Sequence, residues 1–151
     1  MPLSIDQVTA DNDFIIFRHK CLRQGKPIDK AIFTEDGFIT SYHFSAKKNG
    51  NIVGVVSYFD KQHQHFSEVT KSYQLRGMAV DADFRNQGIG KSLLATSTDQ
   101  LKHDGVKLMW CNARQESMKF YEKNDFIATG SYFNIPDVGS HILMHKYLHN
   151  E

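Results

Sequence analysis

Arg85-Asn-Gln-Gly-Ile-Gly-Lys91 is the most informative stretch of the sequence. Residues 73–80, just before it, alternate apolar side chains and have aromatic and β-branched ends, as is typical of a β-strand. Residues 92–103, just after it, carry apolar side chains near helical spacing and lead to Gly105, a typical residue at a helix end. The stretch is therefore predicted to be a turn from a strand into a helix. Its glycines allow close approach to the backbone, and the amides at the helix start, together with two cations, predict a phosphate site.

Two common phosphate-binding loops match this stretch only in part. A Walker A loop, G-x-x-x-x-G-K-[ST], needs glycine where Arg85 stands. The dinucleotide-binding pattern G-x-G-x-x-G needs glycine where Leu93 stands, and it also needs an acidic residue about 20 residues later. A glycine-rich turn that binds nothing is the other alternative, and the stretch alone does not separate it from a phosphate site.

The pattern that the stretch matches in full is R-x-x-G-x-G, the pyrophosphate loop of acyl-CoA-dependent N-acetyltransferases, so the chain resembles the GNAT acetyltransferase superfamily. A second segment, Ser117-Met-Lys-Phe-Tyr-Glu-Lys-Asn-Asp-Phe126, is similar to the superfamily element A-x-x-x-Y-E-K-x-G-F. It follows an apolar segment of strand length, residues 107–112, as it does in that superfamily. The resemblance extends from about residue 14 to the end of the chain.

The resemblance implies how the chain would bind acetyl-CoA as a co-substrate. It implies that the loop holds the diphosphate and that the backbone of Met78–Val80 pairs with the pantetheine arm as an added strand would. It also implies that Asn112 contacts the cofactor and that the small Ser117 leaves room for the arm. The implied cofactor-binding residues are Met78, Ala79, Val80, Arg85, Asn86, Gln87, Gly88, Ile89, Gly90, Lys91, Asn112, Ser117 and Tyr121.

Tyr121 is the residue to which the resemblance gives the role of general acid. Because Ser117 and Tyr121 are four residues apart, they share one face of a helix. Acyl transfer to an amine expels a thiolate, which a phenol of pKa about 10 can protonate or hydrogen-bond. Considered alone, Tyr121 could equally be a packing residue. The superfamily has glycine before the closing phenylalanine, whereas this chain has Asn124-Asp125. Apart from glycine, Asn and Asp are the residues that best tolerate the left-handed conformation of a helix cap.

The residue that takes the proton from the amine is less evident. The predicted central strand carries Arg76 and has no acidic residue between Lys71 and Val80. His141 is our candidate for the second catalytic residue because histidine titrates near neutral pH, with a purely structural histidine as the alternative. Arg76 and Arg114 are candidates to bind an acidic group on the acceptor, with ordinary surface or structural arginines as the alternative.

The order of predicted elements indicates the fold class. Asn49-Gly50 is a strong hairpin signal between strands predicted over residues 42–48 and 51–59. Strand–helix–strand–helix and a final pair of strands follow. We therefore expect an α/β, GNAT-like fold with one mixed sheet of about six to seven strands and about four helices. The helices are predicted over residues 11–24, 28–33, 89–103 and 114–124. No repeat or linker is evident, so residues 1–151 are predicted to form a single N-acetyltransferase domain.

Composition excludes several classes of function. Of the 151 residues, 40% are hydrophobic and 23% charged, and the formal net charge of +1 argues against a nucleic-acid-binding protein. The apolar runs are too short to span a membrane, and the two cysteines form no C-x-x-C pattern, which predicts a soluble cytoplasmic protein with reduced thiols. His63 and His65 lack further ligands at a known spacing, so no metal is expected.

The predicted function is direct transfer of the acetyl group of acetyl-CoA to an amine of an unidentified small molecule or peptide, an acyltransferase reaction. A non-catalytic acyl-CoA-binding or regulatory module of the same fold is the first alternative. A nucleotide phosphotransferase is the second, but it needs an acid to hold magnesium where Asn112 stands. Exposed strand edges would allow two copies to form a homodimer.

Overall fold

The computed structural model describes residues 2–148, and they form a mixed α/β structure with one seven-stranded sheet and three α-helices. The strands are β1 (Ser4–Val8), β2 (Tyr42–Lys48), β3 (Asn51–Asp60), β4 (Ser72–Val80), β5 (Leu108–Arg114), β6 (Ile127–Ile135) and β7 (Gly139–Tyr147). The helices are α1 (Asn12–Leu22), α2 (Ile89–His103) and α3 (Met118–Lys123). The strand order is β1-β2-β3-β4-β5-β7-β6, which confirms the predicted fold class.

The described residues divide into two compact units. The first comprises residues 2–60 and 75–100, and the second comprises residues 61–74 and 101–148. Strand β4 and helix α2 each contribute residues to both units.

In the first unit, β1, β2 and β3 form an antiparallel meander. The turn between β2 and β3 uses Asn49 at φ 52° and Gly50 at φ 77°, the left-handed conformations that the Asn-Gly pair predicts. Helix α1 begins after Asp11, whose carboxylate accepts a hydrogen bond of 3.0 Å from the amide of Phe14. The buried face of this helix packs in a core made of Phe14, Ile15, Phe17, Ala31, Val55 and Ala79.

In the second unit, β7 pairs antiparallel with both β5 and β6. The first residues of β4, Ser72–Gln74, pair in parallel with Leu108–Trp110 of β5. The core consists of Phe66, Leu108, Trp110 and Leu143, with Val69 packed against it. The indole of Trp110 donates a hydrogen bond of 2.8 Å to the carbonyl of Lys61, so its polar edge is satisfied inside the unit.

Two predicted helices are shorter than expected. After Pro27, where a helical turn is predicted over residues 28–33, the chain makes a four-residue 3₁₀ helix, Ile28–Ala31, and a second such turn begins at Thr34. Residues 115–117 are also a 3₁₀ turn, and only Met118–Lys123 are α-helical. Asp125 has φ 71°, so it adopts the left-handed cap conformation that was expected where the superfamily has glycine.

No helix within residues 2–148 combines the length and the apolar character needed to cross a membrane.

Candidate functional site

The turn between β4 and α2 is open and contains two residues in the left-handed conformation. A 3₁₀ helix, Ala82–Phe84, comes first, and α2 begins at the buried Ile89. Between them Asn86 has φ 64° and Gly88 has φ 77°, and residues 85–88 are exposed. A Cβ atom added at Gly88 would meet no atom within 4 Å, so the backbone there is open to a ligand.

Three cations surround this turn. Arg85 and Lys91, the two cations of the predicted loop, are exposed. The third, Lys48 at the end of β2, was not predicted: its ammonium donates a hydrogen bond of 2.8 Å to the side-chain oxygen of Gln87 and lies 5.7 Å from the ring centre of Phe84. Lys48 is 39 residues from Gln87 in the sequence, so no local pattern could show that the two side chains meet. Together with the free amides at a helix start, these cations suit a phosphate-bearing ligand.

Asp81 anchors the beginning of the turn. One carboxylate oxygen accepts a hydrogen bond of 2.9 Å from the amide of Asp83, and the other accepts one of 2.8 Å from the ammonium of Lys20 on α1. The hydrogen bond from Lys20, and then that from the amide of Asp83, lower the pKa of Asp81. Asp81, which precedes the predicted loop, thereby connects the turn to α1.

The segment of β4 that was predicted to pair with pantetheine lies in the first unit. Ala79 is buried in the core, whereas Met78 and Val80 are half-buried. Gly77 just before them has φ 65°, and a Cβ atom there would lie 3.0 Å from the ring of Phe33. The strand is therefore irregular at Gly77, and only glycine fits without strain.

A buried polar network lies beside this part of β4. The guanidinium of Arg18 donates to both oxygens of Asp36, at 2.7 and 3.1 Å, and to the hydroxyl of Ser57 at 2.8 Å. His43 hydrogen-bonds through Nε2 to the carbonyl of Asp36 at 2.8 Å and through Nδ1 to Ser57 at 2.7 Å. Because a carbonyl only accepts, Nε2 carries the hydrogen and Nδ1 accepts from the hydroxyl. Burial lowers the pKa of His43, consistent with a neutral ring in the network.

Tyr121 is buried in the second unit, on α3. Its ring centre lies 5.3 Å from that of Phe120 and 5.3 Å from that of Phe126, both in edge-on contacts. Its carbonyl accepts hydrogen bonds from the amides of Asn124 and Phe126 at 3.0 Å, which closes the helix. Ser117, half-buried, directly precedes α3. Aromatic packing therefore holds the ring of Tyr121 in position, independently of the hydrogen bonds of its hydroxyl.

Asn112 and His141 lie on neighbouring strands of the second unit. Asn112 on β5 is opposite Leu143 of β7 and lines an open groove with His63, His65 and Thr129. His141 is only 4% exposed, and its Nδ1 donates a hydrogen bond of 2.8 Å to the carbonyl of Gly139. A neutral ring in this tautomer keeps its lone pair on Nε2, so His141 has the chemistry to accept a proton there.

Within the described part of the chain, the two cysteines and the histidines form no second kind of site. Cys21 and Cys111 are free thiols, and burial strongly raises the pKa of Cys111, which makes it a poor nucleophile. Within residues 2–148, no group of three or more His, Cys, Asp or Glu side chains is arranged to hold a metal ion.

The site positions that the sequence predicts fall into two sets. Ten predicted cofactor residues, 78–80 and 85–91, lie in the first unit, on the end of β4 and the turn into α2. The other predicted positions, Asn112, Ser117, Tyr121 and His141, lie in the second unit.

Comparison with known proteins identifies the family of the chain. Residues 12–126 match the model of the acetyltransferase (GNAT) family. The chain is 32% identical over 146 residues to the uncharacterized N-acetyltransferase YitI of Bacillus subtilis (strain 168), covering 97% of each chain. The protein therefore belongs to the GNAT acetyltransferase family, and it is an acyltransferase.

Solved structures show the same fold. An acetyltransferase of the GNAT family from Streptococcus pneumoniae superposes with a TM-score of 0.75 at 17% identity, over 98% of this chain and 100% of that one. The ribosomal-protein-S18-alanine N-acetyltransferase of Escherichia coli superposes with a TM-score of 0.74 at 18% identity, over 99% of this chain and 96% of that one. At these identities the likeness concerns the fold.

Proposed function

We propose that the protein is an acetyl-CoA-dependent N-acetyltransferase that passes the acetyl group directly to an amine of a small molecule or peptide. The observation that carries this proposal is the turn at residues 85–90. Residues 85–88 are exposed, there is open space at Gly88, and the turn leads into the start of α2 beside the cations of Arg85, Lys91 and Lys48. This arrangement suits the diphosphate of coenzyme A.

The residues of the first unit would bind the co-substrate. Arg85 and Lys91 would pair with diphosphate oxygens, the amides of residues 86–90 would donate hydrogen bonds to them, and the backbone of Met78–Val80 would pair with the pantetheine arm. In the second unit, Asn112 would contact the arm and Ser117 would leave room for it. Each charge-assisted contact would contribute about 1.5–3 kcal/mol.

Two residues would move protons during transfer. As the nitrogen–carbon bond forms and the carbon–sulfur bond breaks, the hydroxyl of Tyr121 would donate its proton to the leaving sulfur. The proton lost by the amine would go to Nε2 of His141, directly or through water. The packing of Tyr121 against Phe120 and Phe126 supports the first role, because it holds the ring in one orientation.

The proposal also covers the organisation of the protein. We infer a single N-acetyltransferase domain over residues 1–151, a cytoplasmic location, and no nucleic-acid or membrane partner. A homodimer would form through the edge strands of the sheet, β1 and β6. The two free thiols agree with a reducing compartment.

Release of free thiol from acetyl-CoA, followed against a panel of amines and amino-terminal peptides, tests the function. In the Tyr121→Phe variant we expect kcat to fall about 10²- to 10⁴-fold while the KM for acetyl-CoA changes little. Tyr132→Phe is the matched control, because Tyr132 is 47% exposed on β6 and, among residues 2–148, its hydroxyl donates only to the sulfur of Met118, at 3.4 Å. An unchanged kcat for Tyr121→Phe would exclude the tyrosine as the acid. Tight acetyl-CoA binding without transfer to any amine would instead identify a non-catalytic module.

A further inference from the structure

Two arginines in the first unit lie on the same aromatic ring. The guanidinium carbon of Arg18 is 4.0 Å from the ring centre of Phe33, and that of Arg76 on β4 is 4.2 Å from it. Arg76 also lies 5.7 Å from the ring centre of Phe59. Both rings are buried, so they hold each guanidinium in place by cation–π contact.

Arg18 already has its counterion. It is fully buried, and its terminal nitrogens donate to both carboxylate oxygens of Asp36, to the carbonyl of Ala31 and to the hydroxyl of Ser57. The charge of Asp36 is therefore neutralised within the protein. The single negative charge of Asp36 cannot neutralise both Arg18 and a second cation.

Arg76 lacks such a counterion. It is half-buried, and among residues 2–148 its guanidinium makes no hydrogen bond and no ion pair within 4.0 Å. Burial lowers the pKa of Arg76, the charge of Glu35 opposes this shift, and Arg18 adds to it. An arginine nevertheless stays protonated in proteins. A partly buried, charged guanidinium whose N–H groups lack acceptors costs free energy unless a ligand binds to it.

We propose that Arg76 binds a carboxylate of the acceptor, so that the protein acetylates amines that also carry a carboxylate group. This inference rests on the proposed acetyltransferase function. Arg76 is two residues before Met78, where the strand is expected to meet the arm of the co-substrate, so a group held at Arg76 would be close to the transferred acetyl. The planar fork of a guanidinium matches a carboxylate with two parallel hydrogen bonds.

A carboxylate suits this site better than a phosphate ester. The site offers one unpaired cation, because Asp36 neutralises Arg18. The carboxylate of Glu35 contributes further negative charge nearby. A dianionic phosphate would leave excess negative charge beside Glu35, whereas a monoanionic carboxylate balances Arg76.

The test compares amines that differ only in this group. The probes are glycine, β-alanine, 4-aminobutyrate and phenylalanine, each beside its carboxamide, with acetyl-CoA and detection of released thiol. We expect at least one acid to exceed its carboxamide in kcat/KM by about 10- to 100-fold, the range of a charge-assisted bidentate contact. Arg76→Gln should reduce this ratio to within about 2-fold, and Arg76→Lys should leave an intermediate ratio because it keeps the charge without the fork.

Two further variants separate recognition from a structural role. Arg114→Gln removes the other half-buried arginine considered for this role and should keep the ratio of acid to carboxamide. Glu35→Gln removes a carboxylate whose charge acts on Arg76 and should keep or increase that ratio. Equal losses for acid and carboxamide in both Arg76→Gln and Glu35→Gln would show a structural ion pair and overturn the inference.

The outcomes also separate this inference from the proposed function. If carboxamides or carboxylate-free amines are acetylated as well as the acids are, the assignment of Arg76 is wrong and the acetyltransferase proposal stands. If the ratio disappears in Arg114→Gln but survives in Arg76→Gln, the assignment is also wrong. If no amine of any kind releases thiol, both proposals are wrong.

Discussion

Replacing Asp36 with asparagine should strongly destabilise the protein. The change keeps the shape of the side chain but removes the carboxylate that, alone among residues 2–148, forms an ion pair with the fully buried guanidinium of Arg18. In the wild type the two oxygens of Asp36 accept hydrogen bonds of 2.7 and 3.1 Å from that guanidinium. Breaking a buried ion pair by removing one partner costs about 3–5 kcal/mol, because the other charge is left uncompensated. That is a large part of a typical unfolding free energy of about 5–15 kcal/mol. For a chain of this length we expect Tm to fall by about 6–20 °C.

A double variant makes this prediction specific. In Arg18→Met with Asp36→Asn the buried charge is absent, so the double variant should be at least as stable as Asp36→Asn alone. Unfolding free energies from urea titrations of both single variants and the double variant give the coupling energy directly. Asp29→Asn, at an exposed position, is the control and should change stability by less than about 0.5 kcal/mol. A loss below about 1 kcal/mol for Asp36→Asn, or a double variant that shows the sum of both single losses, would refute the reasoning.

Three further results are expected. Gly77→Ala should lower the unfolding free energy by about 2–4 kcal/mol, which is more than Gly50→Ala should. Both glycines have positive φ, but only at Gly77 would the new Cβ meet the ring of Phe33. Similar losses for the two variants would contradict this. Because burial lowers the pKa of His43, its contribution to stability is complete above about pH 6.5 and decreases as the pH falls towards its folded pKa. The wild type should thus lose more stability than His43→Gln between pH 7.5 and pH 5.5, as chemical denaturation at each pH can measure. His141→Asn should change the pH–rate profile, and an unchanged profile would exclude His141 as the proton acceptor.

Local sequence patterns were sufficient for much of the fold. Asn49-Gly50 predicts the β2–β3 hairpin because few other dipeptides accept two left-handed residues in succession. The conformation of Asp125 was predictable for the same kind of reason, since a helix end without glycine needs a residue that tolerates positive φ. The turn at residues 85–88 follows from its position between a strand and a helix.

The contacts that depend on distant residues were not predictable. Arg18 meets Asp36 and Ser57 across 18 and 39 residues of chain, and no periodicity or spacing in the sequence indicates that these side chains share one buried network. In the sequence Arg18 is an ordinary polar residue of an amphipathic helix. The missing counterion of Arg76 is likewise a property of the fold alone, because it depends on what Asp36 already binds.

A comparison of two acetyl donors tests most directly whether residues 85–91 hold the diphosphate of coenzyme A. Acetyl-pantetheine carries the same thioester as acetyl-CoA but has no diphosphate. In Arg85→Ala, kcat/KM for acetyl-CoA should fall about 10- to 100-fold while that for acetyl-pantetheine stays within about 2-fold of the wild-type value. Lys102→Ala, at the other end of α2, should affect neither donor. An equal loss with both donors, or no loss with acetyl-CoA, would contradict the assignment of this turn to the diphosphate.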